Sequence, residues 1–300
     1  MGELAALSAA AVWATASIIF TKLGRQQISP LALNLLKCSL ALALMILTLL
    51  ALEGRGFPTA MSDWELGALG VSGIIGLTIG DTAYFHALIR LGPRRTLLLA
   101  TLGPPATAVL AWPFLGEPIT GLMVFGMGLT MAGVVWVIRE RQPAVDAQTP
   151  ASMSKEELVG LGFGVLSVLC QATGNVLSKF GGSALEPLEM SIVRLAFGVA
   201  LLVVVVGTKR AFLDVLKPLK SPRQAGWLAL ATLLGTYLGI WLLMAGLKRT
   251  SHAGIAATLS STSPIFILPL AAIFLDDRPT LRAVLGALIA VSGVAVFFVD

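Results

Sequence analysis

Ten long apolar runs follow one another along the sequence, and they constrain its fold more than any other feature. Each is close to the roughly 20 residues that a helix needs to cross a bilayer. Because lipid offers the backbone no hydrogen-bond partner, such segments fold as helices. The sequence therefore predicts an all-α integral membrane protein with ten transmembrane helices. These spans lie at residues 4–21, 30–52, 66–89, 96–115, 119–138, 158–178, 190–208, 226–247, 253–275 and 283–299.

The composition excludes an ordinary water-soluble domain. Of the 300 residues, 56% are hydrophobic and only 12% are charged, whereas soluble domains carry about 25% charged residues. The predicted location is the cell (inner) membrane, which the chain crosses several times, with the lipid bilayer as its partner. The net charge of +5 belongs mainly to the connections between spans, so it predicts no nucleic-acid partner.

The chain carries no sequence signature of an enzyme or of a cofactor site. Its sequence contains no Walker loop, no HExxH motif and no nucleophile elbow. Cys38 and Cys170 each lie in an apolar run, which indicates neither a disulfide framework nor a metal cluster. We therefore predict a protein that is not an enzyme and that has no cofactor and no metal.

The two halves of the chain resemble each other. A polar segment at 142–157 separates a first unit at 1–141 from a second unit at 158–300. Because each unit has five spans, an odd number, the second must enter the membrane upside down, as in the inverted repeats of many secondary transporters. At offsets of 157 and 160 residues the matched positions are Lys22 and Lys179, Pro30 and Pro187, Lys37 and Arg194, Pro104 and Pro264, Gly126 and Gly286, and Gly133 and Gly293.

These matched positions resemble the drug/metabolite transporter (DMT) superfamily, in its ten-helix EamA-like family. The most typical piece is the acidic turn Leu115-Gly116-Glu117, which precedes a glycine-rich last helix of the repeat. The second copy departs from this pattern and has Asp276 and Asp277 after Leu275. The resemblance covers essentially the whole chain. It implies a carrier of small metabolites, often an exporter, and leaves the metabolite open.

Three formally charged residues lie well inside the predicted spans: Lys37, Asp81 and Arg194. An ionisable group at such depth marks a functional site by default. We predict that Asp81 lines a central cavity with Lys37 and Tyr84 nearby, and that it couples transport to protons or orients a substrate amine. A purely structural ion pair is the alternative. Two deep cations against one anion leave one positive charge unmatched, which favours a substrate with a carboxylate or a phosphate.

Other polar and aromatic residues are weaker substrate-binding candidates. Gln171 and Asn175 lie four residues apart and share one helix face, where they line a cavity or join helices. The aromatic candidates line a cavity or pack at the membrane interface: Trp13, Tyr237 and Trp241. His86 is a second proton-coupling candidate, although it lies about 140° around the helix from Asp81 and equally suits an interfacial position.

Prolines and small residues recur at corresponding places in the two halves. Pro104 follows Thr101 and Gly103, and Pro264 follows the Ser/Thr-rich stretch 258–263. Because proline frees backbone carbonyls that hydroxyl groups help to satisfy, we predict kinked, polar-lined helices there. Glycines seven residues apart in spans five and ten permit close helix contact, either within one chain or in a homodimer.

Together these features favour a secondary transporter that exports a small polar metabolite, an amino acid or a related compound, by alternating access. The alternative is a flippase of lipid-linked intermediates, or the partner subunit of one. A carrier is expected to enclose a polar cavity, whereas a flippase is expected to open sideways to lipid. The side of the termini stays open. Basic residues concentrate in the connections after odd-numbered spans, which places both termini outside, whereas the resemblance implies both inside.

Overall fold

A computed structural model of the protein describes nine stretches of the chain, and they consist of helices joined by short turns. The described residues are 2–26, 28–59, 61–116, 118–138, 154–182, 184–210, 212–249, 259–275 and 279–296. The all-helical prediction is confirmed for these residues. The predictions on Glu117, Asp276, Asp277 and residue 258, and on most of the segment 142–157, concern residues outside the described stretches.

Within the described stretches we number six α-helices in the first half and seven in the second. Those of the first half are α1 Gly2–Arg25, α2 Pro30–Glu53, α3 Asp63–Gly73, α4 Asp81–Ala100, α5 Gly103–Leu115 and α6 Gly121–Ile138. Those of the second half are α7 Lys155–Gly181, α8 Pro187–Thr208, α9 Phe212–Leu216, α10 Pro222–Thr232, α11 Gly239–Arg249, α12 Ser263–Phe274 and α13 Leu281–Ala295. A π-helical segment, Ile74–Gly80, joins α3 to α4, and another, Leu233–Leu238, joins α10 to α11. A 3₁₀ turn, Lys217–Lys220, follows α9.

Several described helices are long and apolar enough to cross a membrane. By length and composition these are Leu4–Arg25, Pro30–Glu53, Asp63–Ala100, Lys155–Gly181, Pro187–Thr208 and Pro222–Arg249. Three shorter apolar helices are Gly121–Val137, Ser263–Phe274 and Leu281–Ala295. The described part of the chain is thus all-helical, with several helices that suit a membrane by length and composition, and the number of ten spans stays a prediction.

Capping residues set where several helices begin, often ahead of the apolar run that the sequence shows. The Ser29 hydroxyl accepts a hydrogen bond from the Ala32 amide (3.2 Å), and proline occupies the first position of α2. Ser62 and Glu65 form a reciprocal capping box at the start of α3. The predicted span 66–89 therefore begins a few residues late, because hydropathy does not register a polar first turn.

Helix α4 is interrupted at Gly92, which has the positive φ of 76° that glycine tolerates best. Pro93 follows it and cannot donate the hydrogen bond that would continue the helix. The α4 range thus consists of two helical stretches, 81–91 and 93–100. The predicted boundary between the spans 66–89 and 96–115 falls on this interruption.

The helices ahead of Pro104 and Pro264 are broken at corresponding positions. Residues 101–102 and 261–262 leave the α-helical pattern and form turns immediately before α5 and α12. The Thr101 hydroxyl donates to the Leu98 carbonyl (2.7 Å), and the Thr262 hydroxyl donates to the Leu259 carbonyl (2.7 Å). These contacts agree with the predicted kinks at which hydroxyl groups satisfy backbone carbonyls.

Helices α6 and α13 pack closely against each other within one chain. A Cβ atom built on Gly133 would lie 2.5 Å from the Ala290 amide nitrogen and 2.6 Å from the Gly286 carbonyl oxygen. The contact of spans five and ten is therefore intramolecular, one of the two arrangements that the glycine spacing allows. The outward faces of both helices remain apolar and exposed, as lipid contact requires, at Val124, Phe125, Trp136, Leu281 and Leu288.

Candidate functional site

A cavity of about 190 Å³ lies where the two halves of the chain meet. Its wall includes apolar side chains such as Phe20, Leu97 and Leu243. The volume is below the roughly 300–1,000 Å³ of pockets for drug-sized ligands, so it suits a small molecule. Its polar lining comes from both halves: Trp13, Ser17, Lys37, Asp81, Tyr84, Ser167, Gln171, Asn175, Arg194, Thr236, Ser260, Ser261 and Ser263.

An ion pair anchors one side of the cavity. The Lys37 ammonium lies 2.5 Å from Asp81 Oδ2, and both side chains are largely buried. The other carboxylate oxygen, Oδ1, accepts a hydrogen bond of 2.6 Å from the Gln171 amide. Asp81 therefore connects a helix of the first half, α2, to a helix of the second half, α7.

The π-helical segment Ile74–Gly80 positions Asp81. The wider turn directs the Asp81 backbone N–H to the Gly76 carbonyl, five residues back. The same carbonyl accepts a hydrogen bond of 3.2 Å from the Gln171 side chain. Single π-helical turns occur frequently at functional sites, and here the turn supplies a carbonyl that a neighbouring helix uses.

The second π-helical segment makes the corresponding contact from the other half. In Leu233–Leu238 the Gly235 carbonyl accepts a hydrogen bond of 2.7 Å from the Trp13 indole N–H. Trp13 and Gln171 are 158 residues apart, and Gly76 and Gly235 are 159 residues apart. In both directions, a side chain of one half thus donates a hydrogen bond to a glycine carbonyl in the π-helical segment of the other half.

Asn34 orients the helix that carries Lys37. It is fully buried, and its amide donates to the Leu77 carbonyl (2.8 Å) and to the Thr82 hydroxyl (2.9 Å). These bonds join α2 to the chain on both sides of Asp81. Sequence reasoning missed Asn34 and Ser167. For Asn34 the signal was its spacing of three residues from Lys37, which places both on one helix face.

Arg194 has no carboxylate partner within the described stretches. Its side chain is only 1% exposed, Nη1 donates a hydrogen bond of 3.4 Å to the Met244 sulfur, a weak acceptor, and Nε is buried without a partner among the described residues. Gly76 and Gly174 leave room for the guanidinium, since a Cβ on either would lie 3.1 Å or 3.3 Å from Nη2. The cavity therefore holds a buried cation that this part of the protein does not neutralise.

The structure brings most of the predicted site residues together and places three elsewhere. Trp13, Tyr84 and Asn175 line the cavity with the charged residues, and Asn175 Oδ1 has no partner among the described residues. Tyr237 and Trp241 lie outside this lining. The Tyr237 hydroxyl is 2.8 Å from the Thr48 hydroxyl, and its ring contacts the Trp241 ring edge to face.

His86 also lies away from the cavity. Its Nδ1 is 3.0 Å from an Arg90 guanidinium nitrogen, and its ring stacks on Phe163 at 4.6 Å between centroids. Arg90 in turn contacts Glu156 at the start of α7 (3.1 Å). This position agrees with the interfacial alternative for His86, and it gives the imidazole no contact with Asp81. The described residues also contain no cluster of three or more His, Cys, Asp or Glu side chains that could hold a metal ion.

Comparison with known proteins gives two positive findings. The sequence model of the EamA-like transporter family matches residues 1–139 and 158–299. A protein of known crystal structure is similar to this chain, with 18% sequence identity and a TM-score of 0.71, and the alignment covers 99% of this chain and 96% of that one. At this identity the similarity shows the fold alone. No curated protein matches the sequence.

Proposed function

Because this chain belongs to the EamA-like transporter family, we propose that it is a secondary transporter of a small polar metabolite, such as an amino acid or a related compound. The two halves act as inverted repeats of five spans each and expose the cavity to the two sides of the membrane in turn. The direction is export across the cell (inner) membrane.

The observation that carries the proposal is the composition of the cavity wall. Residues of both halves line it, and the charged groups of the spans, Lys37, Asp81 and Arg194, converge on it. Charge is costly at this depth and persists in membrane proteins where it serves a pathway or a site. A polar cavity between the halves also favours a carrier over a flippase, which needs a path open to lipid.

Paired features of the two halves support the inverted repeat. Both halves contain a π-helical segment and, further along, a broken turn before a proline, at 101–102 and at 261–262. The hydrogen bonds of Trp13 to Gly235 and of Gln171 to Gly76 cross between the halves. Such contacts hold the halves together around the cavity and have to rearrange when the halves rock.

In this mechanism the Lys37–Asp81 pair is the part that responds to substrate or protons. Asp81 accepts hydrogen bonds from Lys37 and Gln171, so protonation of the carboxylate or competition by a substrate amine weakens the connection between α2 and α7. Loss of this connection would lower the barrier to movement between the halves. The energy source would then be a proton gradient or the gradient of the substrate itself.

Counterflow in proteoliposomes tests the proposed function. Vesicles with the purified full chain are preloaded with one unlabelled compound and diluted into the same compound in radiolabelled form, across a panel of amino acids, their decarboxylated amines and their deaminated acids. We expect transient, saturable accumulation of label for at least one compound, and none in protein-free vesicles. Equal label in both vesicle types for every compound would contradict the proposal.

A further inference from the structure

We infer that Arg194 forms an anion subsite in the cavity, which binds a carboxylate or phosphate group of the transported molecule. This inference rests on the proposed transport function and specifies the substrate class. Arg194 lines the cavity with a side chain that is 1% exposed. Within the described stretches its guanidinium has a single hydrogen bond, to the Met244 sulfur. A buried cation without an anion is costly, so an anionic ligand is the group that the site lacks.

Comparison of the two halves shows which partner is missing. Arg194 is the counterpart of Lys37 at the offset of 157 residues. Lys37 has its anion in Asp81, but the counterpart of Asp81 is Ile240 or Trp241, and Ile240 lines the cavity. The first half thus neutralises its own cation, and the second half presents an apolar side chain where the matching carboxylate would be.

Asp81 is not available to neutralise Arg194. Its oxygens already accept hydrogen bonds from Lys37 at 2.5 Å and Gln171 at 2.6 Å. The charged side chains of the cavity wall, as far as the described residues form it, therefore sum to one positive charge. A ligand with one anionic group makes the loaded cavity neutral.

The cavity gives such a group access to the guanidinium, because Arg194 is part of its lining. Gly76 and Gly174 pack closely against Nη2, where an added Cβ would lie only 3.1 Å or 3.3 Å away. Guanidinium groups bind carboxylates and phosphates through two parallel hydrogen bonds. The Asn175 side chain also lines the cavity, and its amide nitrogen can donate a further hydrogen bond to a bound oxygen.

The same geometry predicts an order of binding affinity for small ligands of different charge. A carboxylate finds Arg194 unneutralised, whereas an amine has to displace Lys37 or Gln171 from Asp81. A monocarboxylate should therefore bind at least as well as the amino acid of the same skeleton, and the corresponding amine should bind most weakly. Phe20, Leu97 and Leu243 provide the apolar wall for the rest of the molecule.

Titration calorimetry on the purified full chain in detergent tests the subsite with probes of one shape. The probes are 4-methylpentanoate, its neutral isostere 4-methylpentanamide, and leucine, at constant ionic strength. We expect the wild type to bind the carboxylate about tenfold or more tightly than the amide, because a hydrogen bond to a charged group is worth at least that ratio. Equal affinities of the wild type for carboxylate and amide would overturn the inference without any variant.

Variants then assign the preference to Arg194. Arg194→Gln should reduce the carboxylate preference to less than about twofold, and Arg194→Lys should restore part of it. The matched control is Arg223→Gln, which removes an arginine from the exposed start of α10 and should keep the full preference. Gly76→Ala keeps Arg194 but puts a methyl group 3.1 Å from Nη2, so the guanidinium has to shift. This variant should weaken binding of the carboxylate more than binding of the amide. A preference that survives both Arg194→Gln and Gly76→Ala would overturn the subsite.

Competition with inorganic phosphate shows whether the subsite binds phosphate groups as well as carboxylates. Competition between phosphate and 4-methylpentanoate would support a subsite that takes both classes, and an absence of competition would support carboxylates alone. The binding assay is also independent of transport. A wild type that prefers the carboxylate but shows no counterflow would contradict the transport function and leave the subsite standing. Counterflow without any carboxylate preference would contradict the subsite and leave the transport function standing.

Discussion

Asp81→Asn is expected to destabilise the protein by about 3 kcal/mol, because it removes one partner of a buried ion pair and leaves the other charged. The Lys37 side chain is 6% exposed and reaches no second carboxylate among the described residues. Asparagine keeps the size of the side chain and can still accept a hydrogen bond from Gln171. The loss therefore reports mainly the missing charge.

A second substitution separates stability from function. In the double variant Lys37→Met, Asp81→Asn neither charge remains, and we expect most of the stability to return, since removal of both partners of a buried pair is often nearly neutral. Transport should not return, because the carboxylate that responds to the substrate or to protons is gone. A purely structural pair would predict that transport recovers with stability.

Thermal unfolding in detergent and counterflow in proteoliposomes measure the two effects on the same preparations. Asp81→Asn should unfold at a lower temperature than the wild type, and the double variant should unfold near it. Both should lose the greater part of counterflow. If Asp81→Asn instead kept wild-type stability, transport rate and pH dependence, Asp81 would have no part in the mechanism.

Gly133→Ala is expected to destabilise the protein, whereas the same change at Gly128 is not. A Cβ on Gly133 would lie 2.5 Å from the Ala290 nitrogen and 2.9 Å from the Ala290 Cα, and backbone atoms cannot move aside as a flexible side chain can. Overpacking of this kind costs about 1–3 kcal/mol. Gly128 lies on the exposed face of the same helix, with nothing within 4 Å of an added Cβ.

The two alanine variants should differ clearly in stability. In open space alanine is the better helix former by about 0.5–1 kcal/mol, so Gly128→Ala should be neutral or mildly stabilising. Unfolding can be followed with a dye that reacts with Cys38 and Cys170, because both thiols are buried in the folded protein. Equal unfolding temperatures for Gly133→Ala and Gly128→Ala would show that α6 and α13 do not pack as described.

Much of the fold could be predicted from hydropathy, because burial in lipid imposes a simple rule on every span. The same rule drew attention to Lys37, Asp81 and Arg194, since charge is rare in such segments. The sequence analysis expects Lys37 near Asp81, and the structure places the two side chains in contact. The further partner of the carboxylate, Gln171, depends on how the helices of the two halves pack, and a sequence pattern does not contain that information.

Helix geometry explains why two aromatic candidates lie outside the cavity lining. Successive residues of a helix point about 100° apart, and residues four apart share a face. Because Thr236 lines the cavity, Tyr237 lies on another face, together with Trp241, whose ring it contacts. No local sequence signal marks a π-helical turn, because packing against neighbouring helices selects it.

Side-dependent labelling of a cavity residue tests alternating access most directly. Ser167 is buried in the cavity wall, and cysteine is nearly the same size, so Ser167→Cys in a Cys38→Ser, Cys170→Ala background places one thiol at the site. Thr208→Cys, at an exposed helix end, serves as the control that reacts from one side only. The probe is a membrane-impermeant thiosulfonate, applied to vesicles of either orientation. We predict that the thiol at position 167 reacts from both sides and that the transported compound slows both reactions. Reaction from a single side under every condition would contradict alternating access around this cavity.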